Sequence, residues 1–216
     1  MEATLVSVCI GEPRMENFYG KQIFTAIRKK PFSNKIYLNK TGLEGDGVGD
    51  KKHHGGEDKA LCLYPLEHYP YWEKTLSIKL PVAAFGENLT TIGLLEEHVF
   101  IGDIFEIGTA LIQVSQPRQP CSTLAARYNR KDLIKMVIDT GYTGFYFRVI
   151  KEGYIKEGEP ILLKKRVQEE VSISFANNIR HKDRTNCEAI KKILSIEELS
   201  ESWHKDFEQL ANKACI

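Results

Sequence analysis

Residues 98–121 read HVFIGDIFEIGTALIQVSQPRQPC. Short β-branched and aromatic runs are broken by single glycines at positions 102 and 108. Glycine inside a strand pattern marks a bend or a close backbone approach, and repeated bends suit the tight corners of a small barrel. The run ends in SQPRQPC (115–121). Proline fixes φ and removes a backbone donor, so this stretch is neither helix nor inner strand. The residues before Pro117 and Pro120 are pushed toward extended conformations. The strand therefore exits stiffly, holding Arg118 and Cys121 in a fixed relation. Two readings fit: a rigid connection with a buried cysteine, or a reactive or metal-ligating thiolate with a cation at hand.

The same texture extends outward. TLVSVCIG (4–11), QIFTAI (22–27), NKIYLN (34–39), ALCLY (60–64), FYFRVI (145–150) and PILLKKR (160–166) read as further strands. PLEHYPYWEKTL (65–76) predicts a helix that Pro70 limits or kinks. STLAARYNRKDLIKMVIDTG (122–141) predicts a second helix, with Leu133, Ile134, Val137 and Ile138 on one face and Gly141 as its stop. Glycine then vanishes from 167 to 216. There SIEE (195–198) matches a capping box, and Leu199, Trp203, Phe207 and Leu210 form one helical stripe. The expected fold class is mainly β with helices (α+β): a β-barrel over residues 1–166 and a small unit of two or three helices over 167–216. About 50 residues rarely support themselves, so the helical unit must pack on the barrel or on a partner chain.

The 216 residues are 42% hydrophobic and 27% charged, with a net charge of +1. That balance argues against bulk attraction to a nucleic acid polymer or an acidic membrane, so any anion site must be local. No apolar stretch approaches the roughly 18 residues of a membrane span, and MEATLVSVCIG does not read as a secretory signal. Five cysteines, at 9, 62, 121, 187 and 215, are widely spaced and form no CxxC. The expectation is a cytoplasmic protein with free thiols.

Among these thiols, Cys9 and Cys62 sit in apolar strand patterns and read as inert core, while Cys187 and Cys215 look incidental. Cys121 differs, because Arg118 and a helix beginning near Ser122 both favour the thiolate, which is a soft ligand for a transition metal. The densest polar cluster, GLEGDGVGDKKHHGGEDKA (42–60), holds six glycines with Asp46, Asp50, His53, His54 and Lys59. Glycine backbones expose N–H groups that cradle anions, although a long polar loop with turn glycines also explains it. It is neither a P-loop nor a dinucleotide fingerprint. His53 and His54 on a strand would face opposite ways, and no zinc motif accompanies them. GENLT (86–90) offers Asn88 as a ligand orienter and Glu87 as a general acid or the partner of a base, or simply a turn. Tyr146 and Arg148 share a strand face, where the arginine needs a carboxylate or an anion.

Taken in order, GDGVGDKKHHGGEDKALCLYP, FGENLT, VFIGDIFEIGTALIQVSQPRQPC, TGFYFRVIKEG and EGEPILL resemble a MOSC domain, the C-terminal domain of molybdenum cofactor sulfurase. The match is to the stand-alone YiiM-like branch, whose three-helix appendage the tail resembles. The resemblance implies a MOSC-type β-barrel and a molybdenum cofactor (molybdopterin), with Cys121 as the metal ligand or sulfur carrier. It assigns the HGG histidine to His54, the GENLT pair to Glu87 and Asn88, and the strand arginine to Arg148. It further implies reduction of N-hydroxylated compounds, hydroxylaminopurines among them. Cys121, His54 and Glu87 are then the catalytic candidates. Gly55, Gly56, Lys59, Asn88, Gln116, Arg118 and Arg148 are the candidates for holding the cofactor.

Pyridoxal phosphate is not expected, since the sulfurase half that binds it has no counterpart here. No flavin or iron–sulfur motif appears, so electrons must come from a separate electron-transfer protein. A homodimer through the terminal helices is open. Three other readings remain: a carrier of sulfur or cofactor on Cys121, a metal-free cysteine hydrolase using Cys121, His54 and Glu87, and an interaction protein in which Cys121 is inert.

Overall fold

The computed structural model describes residues 2–50 and 54–215; His53 lies outside them. Seven strands close a barrel: β1 (Glu2–Ile10), β2 (Leu61–Pro65), β3 (Leu89–Ile92), β4 (Ile104–Ile107), β5 (Ala110–Pro117), β6 (Phe145–Lys151) and β7 (Pro160–Lys165). Around the barrel the order is β7-β4-β5-β6-β2-β3-β1, and β1 returns to β7 with Ala3 opposite Ile161. Every pairing is antiparallel except β2 with β3, where Leu63 lies beside Leu89. Closure removes the exposed edges that an open sheet would leave. Gly108, with φ 56°, makes the turn between β4 and β5, as the glycine spacing predicts.

Six helices accompany the barrel among the described residues. Helix α1 (Tyr69–Leu76) follows a single 3-10 turn, and Pro70 sits in its first turn, where no backbone donor is needed. The expected helix over 122–141 is instead two, α2 (Ser122–Arg127) and α3 (Leu133–Thr140). The chain reverses at Asn129, whose φ is 49°, a left-handed conformation asparagine tolerates better than most residues. Gly141, at φ 75°, ends α3 as expected. The hairpin pairing Arg14–Phe18 with Lys21–Thr25 is only half anticipated, since its polar first strand carries no apolar alternation.

The tail folds as α4 (Ile173–His181), α5 (Cys187–Leu194) and α6 (Glu201–Ala214). The SIEE box is not used. Ser195 ends α5, and Ser200 caps α6 by accepting from the Trp203 N–H. Leu199, Trp203, Phe207 and Leu210 are buried as the stripe predicts, in one apolar cluster with barrel residues such as Val99, Phe105 and Val114. The helical unit therefore packs on its own barrel. A second cluster gathers Phe18, Ile27, Tyr64, Trp72 and Phe85 with Leu124 and Leu133.

One expectation about the cysteines is corrected. Cys187 and Cys215 form a disulfide, while Cys9, Cys62 and Cys121 are free. Their sequence separation of 28 concealed the pairing; α5 and α6 pack side by side and bring the start of one to the end of the other. No helix among the described residues is long and apolar enough to cross a membrane.

Candidate functional site

Arg118 follows directly on β5. Pro117 is the last residue paired with β6, opposite Phe145, and the Arg118 N–H then donates to the Gly144 carbonyl at 3.0 Å. Gly144 has φ 67°, and a Cβ there would lie 2.2 Å from the Leu63 carbonyl oxygen, so only glycine fits. The Arg118 guanidinium is buried and donates to the Phe85 carbonyl. Burial opposes its charge, but Cys62, Tyr146, Cys121 and Glu87 outweigh that and hold it protonated. These contacts hold a buried cation at the lining of the cleft.

Cys121 is the N-cap residue of α2 and lines a cleft of about 960 Å³. Burial pushes its thiol up. A hydrogen bond from His54, the Arg118 charge and the Leu124 N–H together bring it down to about 7. The other free thiols go the opposite way. Desolvation pushes Cys62 up to about 11, and Cys9 is also raised, chiefly by burial. Cys121 is therefore the one described thiol poised as a thiolate near neutral pH.

The cleft is walled by both apolar clusters, with Ala60 from the first and Ile27 and Phe85 from the second. Its polar lining includes Lys29, Asp46, His54, Lys59 and Arg118, with glycine backbone at Gly55 and Gly56. Burial holds Lys59 below the ordinary lysine range, against the pull of Asp58 and Asp206. A smaller lobe of about 370 Å³ also borders Cys121. The two spaces share His54, Lys59, Cys121 and Tyr146. Gln116 borders the smaller one, its amide donating to the Pro117 carbonyl at 3.1 Å and accepting from Ser202 at 2.9 Å.

Glu87 and Arg148 stand elsewhere than the sequence suggests, while Asn88 is at the cleft but engaged with the protein. Glu87 is fully buried and faces no cleft; its carboxylate accepts from Tyr69, Thr90 and the Phe85 N–H. It braces the Phe85 segment that holds Arg118, and the Cys121–His54–Glu87 triad of a hydrolase is not assembled. Asn88 lines the cleft, but its amide is spent within the protein. It accepts from the Cys62 N–H at 3.1 Å and donates to Cys9 O at 3.2 Å and to Asp46 at 2.8 Å. Arg148 lies outside the cleft lining, paired with Asp58 at 2.7 Å and donating to Gln113 and the Glu198 carbonyl. A strand arginine needs an anion, and here a carboxylate supplies it.

Sequence reasoning missed Lys29, which pairs with Asp46 at the cleft wall, because nothing in the basic run Arg28, Lys29 and Lys30 singles out its middle member. It also missed Asp58 as a joint.

Two family models match. The MOSC domain model covers residues 50–162, and the YiiM-like, 3-alpha helix domain model covers residues 171–212. The chain belongs to the MOSC domain family. Within it, the chain is 48% identical to the Bacillus subtilis protein YflK over 204 residues, 94% of this chain and 92% of that one. It is also similar to the crystal structure of YiiM from Geobacillus stearothermophilus, with TM-score 0.83 and 40% identity over 96% of this chain and 98% of that one. A protein of Gibberella moniliformis named "Reductase" is 36% identical over 151 residues, 68% of this chain but 27% of that one. In this MOSC chain the donor set fits a molybdenum cofactor. Among the described residues no three His, Cys, Asp or Glu side chains cluster as a metal cage. A single soft thiolate suits a metal that arrives with organic ligands of its own. Arg118, Lys59 and the glycine backbones suit an anionic group on those ligands.

Proposed function

We propose that this protein holds a molybdenum cofactor in the larger cleft, with Cys121 as ligand, and reduces N-hydroxylated compounds such as hydroxylaminopurines. The observation that carries the reading is the Cys121 thiol, brought to about 7 by His54 and Arg118 at the junction of two cavities. Bound there, the cofactor would supply a two-electron centre. The overall change is R–NHOH plus two electrons and two protons to R–NH₂ plus water, with the electrons delivered by a separate electron-transfer protein.

The chain's own residues do the rest. Arg118 and Lys59 bind the cofactor's anionic group. Burial of Arg118 strengthens that attraction over what it would be in water. His54 holds Cys121 as the thiolate and, bordering both cavities, is the candidate proton donor to the departing oxygen. Asn88 holds Asp46, which in turn pairs with Lys29 at the cleft wall. The kinship with a reductase-named protein supports the redox reading.

The test is molybdenum content by mass spectrometry after expression in a host shown to load another molybdoenzyme. Wild type should carry the metal, and Cys121→Ser should lose most of it. Equal, metal-free results in both would overturn the proposal. Turnover with a chemical reductant separates an enzyme from a carrier, which would transfer its cargo only once.

A further inference from the structure

Behind Arg118 lies a buried acid–base pair that the proposed chemistry does not use. His68 ends the 3-10 turn before α1, and Glu96 stands in the connection from β3 to β4. Both are buried, and His68 Nε2 lies 2.7 Å from the Glu96 carboxylate. Neither side chain borders the two cavities at Cys121. A buried ionisable pair is costly unless its remaining lone pairs are hydrogen-bonded. The second Glu96 oxygen meets that need by accepting the Gly144 N–H at 2.8 Å. Gly144 is the residue whose carbonyl accepts the Arg118 N–H at 3.0 Å.

We propose that Glu96 is a positioning residue for Arg118. One oxygen is held by His68 and the other holds Gly144, which fixes the backbone on which Arg118 hangs. The proposal rests on the cofactor reading for what Arg118 is held to do, which is to bind an anionic group beside Cys121.

Both anchors of Arg118 lead back to this pair. The first is the Gly144 carbonyl. It also accepts from the Thr143 hydroxyl at 2.8 Å, and that hydroxyl accepts from Asn177 of α4 at 2.8 Å. The second is the Phe85 carbonyl, which takes the guanidinium. Phe85 stacks on Tyr64 with ring centroids 4.1 Å apart, and Tyr64 donates to the Tyr142 carbonyl at 3.0 Å. Tyr142 in turn stacks on His68 at 3.8 Å. Residues 142–144 therefore tie His68 and Glu96 to both the backbone and the guanidinium of Arg118. In so packed an interior a change of one methylene is felt. Aspartate at position 96 is too short to span from His68 to Gly144. Glutamine keeps the reach: its carbonyl can accept from Gly144, and its amide can donate to the His68 ring in the other tautomer.

The test is the pH profile of Cys121 alkylation by iodoacetamide, because the Arg118 charge is one of the influences that lower that thiol. Glu96→Asp keeps the charge and loses the reach. It should slow alkylation at pH 7 about fivefold, as a rise of about one unit does for a half-ionised thiol. Glu96→Gln loses the charge and keeps the reach, and should retain the wild-type profile. Thr143→Val removes one donor from the Gly144 carbonyl without touching the pair, and should shift the profile in the same direction as Glu96→Asp. A role in stability alone would lower the denaturation midpoint of Glu96→Asp and leave its alkylation profile that of wild type. That result would overturn the proposal. So would a Glu96→Gln profile displaced as far as that of Glu96→Asp, or an unchanged profile in Thr143→Val. The alkylation needs no metal, so a wild type without molybdenum sinks the cofactor reading and leaves the positioning result to stand by itself.

Discussion

The Arg148 guanidinium lies 2.7 Å from the Asp58 carboxylate, and the same carboxylate accepts the Glu201 N–H that opens α6. One aspartate thereby joins barrel strand β6, the 3-10 turn Glu57–Lys59 and the terminal helical unit. The adjacent backbone strengthens the joint. The Ser115 hydroxyl donates to the Asp58 carbonyl, and the Ser200 N–H donates to the Ser115 carbonyl at 3.0 Å. Lys59 and the short connection from His54 are fixed by the same contacts that hold α6.

Asp58→Ala should therefore cost more than a surface ion pair does. It leaves Arg148 without its carboxylate and an α6 donor without its acceptor. A loss of about 1–3 kcal/mol is expected in chemical denaturation. Arg148→Met in the same background should add less than it does alone, because the two residues share one interaction.

Cys121 should alkylate with iodoacetamide at a rate that is half-maximal near pH 7, since the thiolate is the nucleophile. Cys62 and Cys9, with raised thiols and buried sulfurs, should stay unmodified in the folded protein. His54→Ala removes a hydrogen bond to the sulfur and should move the Cys121 midpoint upward by about one unit or more. Peptide mapping of alkylated protein across pH reads both effects.

The same shift bears on stability. The folded Cys121 thiol titrates near 7, below its ordinary value of 9.0. Its ionisation therefore stabilises the fold fully above pH 9, and the contribution is lost as pH falls through 7. Denaturation midpoints of wild type should fall between pH 9 and 7 relative to Cys121→Ser, which lacks this dependence.

The Cys187–Cys215 disulfide closes a loop across α5 and α6. Thiol counting under denaturing, non-reducing conditions should find three free thiols, and five after reduction. Cys187→Ser should lower stability by about 3 kcal/mol without reductant, with no difference from wild type once both are reduced.

Phe207→Ala should destabilise the whole molecule by about 3–5 kcal/mol. The side chain is fully buried in the cluster shared by barrel and helices. A single unfolding transition is expected in calorimetry; a separate early transition would mean the helical unit folds independently.

Much of this was legible in the chain. Glycine-broken β runs announced a barrel, and the loss of glycine after residue 166 announced the helices. The apolar stripe from Leu199 to Leu210 named the buried face of α6, and the prolines of SQPRQPC singled out Cys121. These are local properties: backbone dihedral limits and side-chain periodicity act within a few residues, so sequence alone determines them. Partner choice is not local. That Arg148 meets Asp58, that Glu87 braces Arg118 from the interior, and that Cys187 finds Cys215 follow only once the closed barrel and α6 bring distant segments together. The same closure decided that Cys121 borders two cavities, because one wall comes from the barrel's loops and the other from a helix some 80 residues further along the chain.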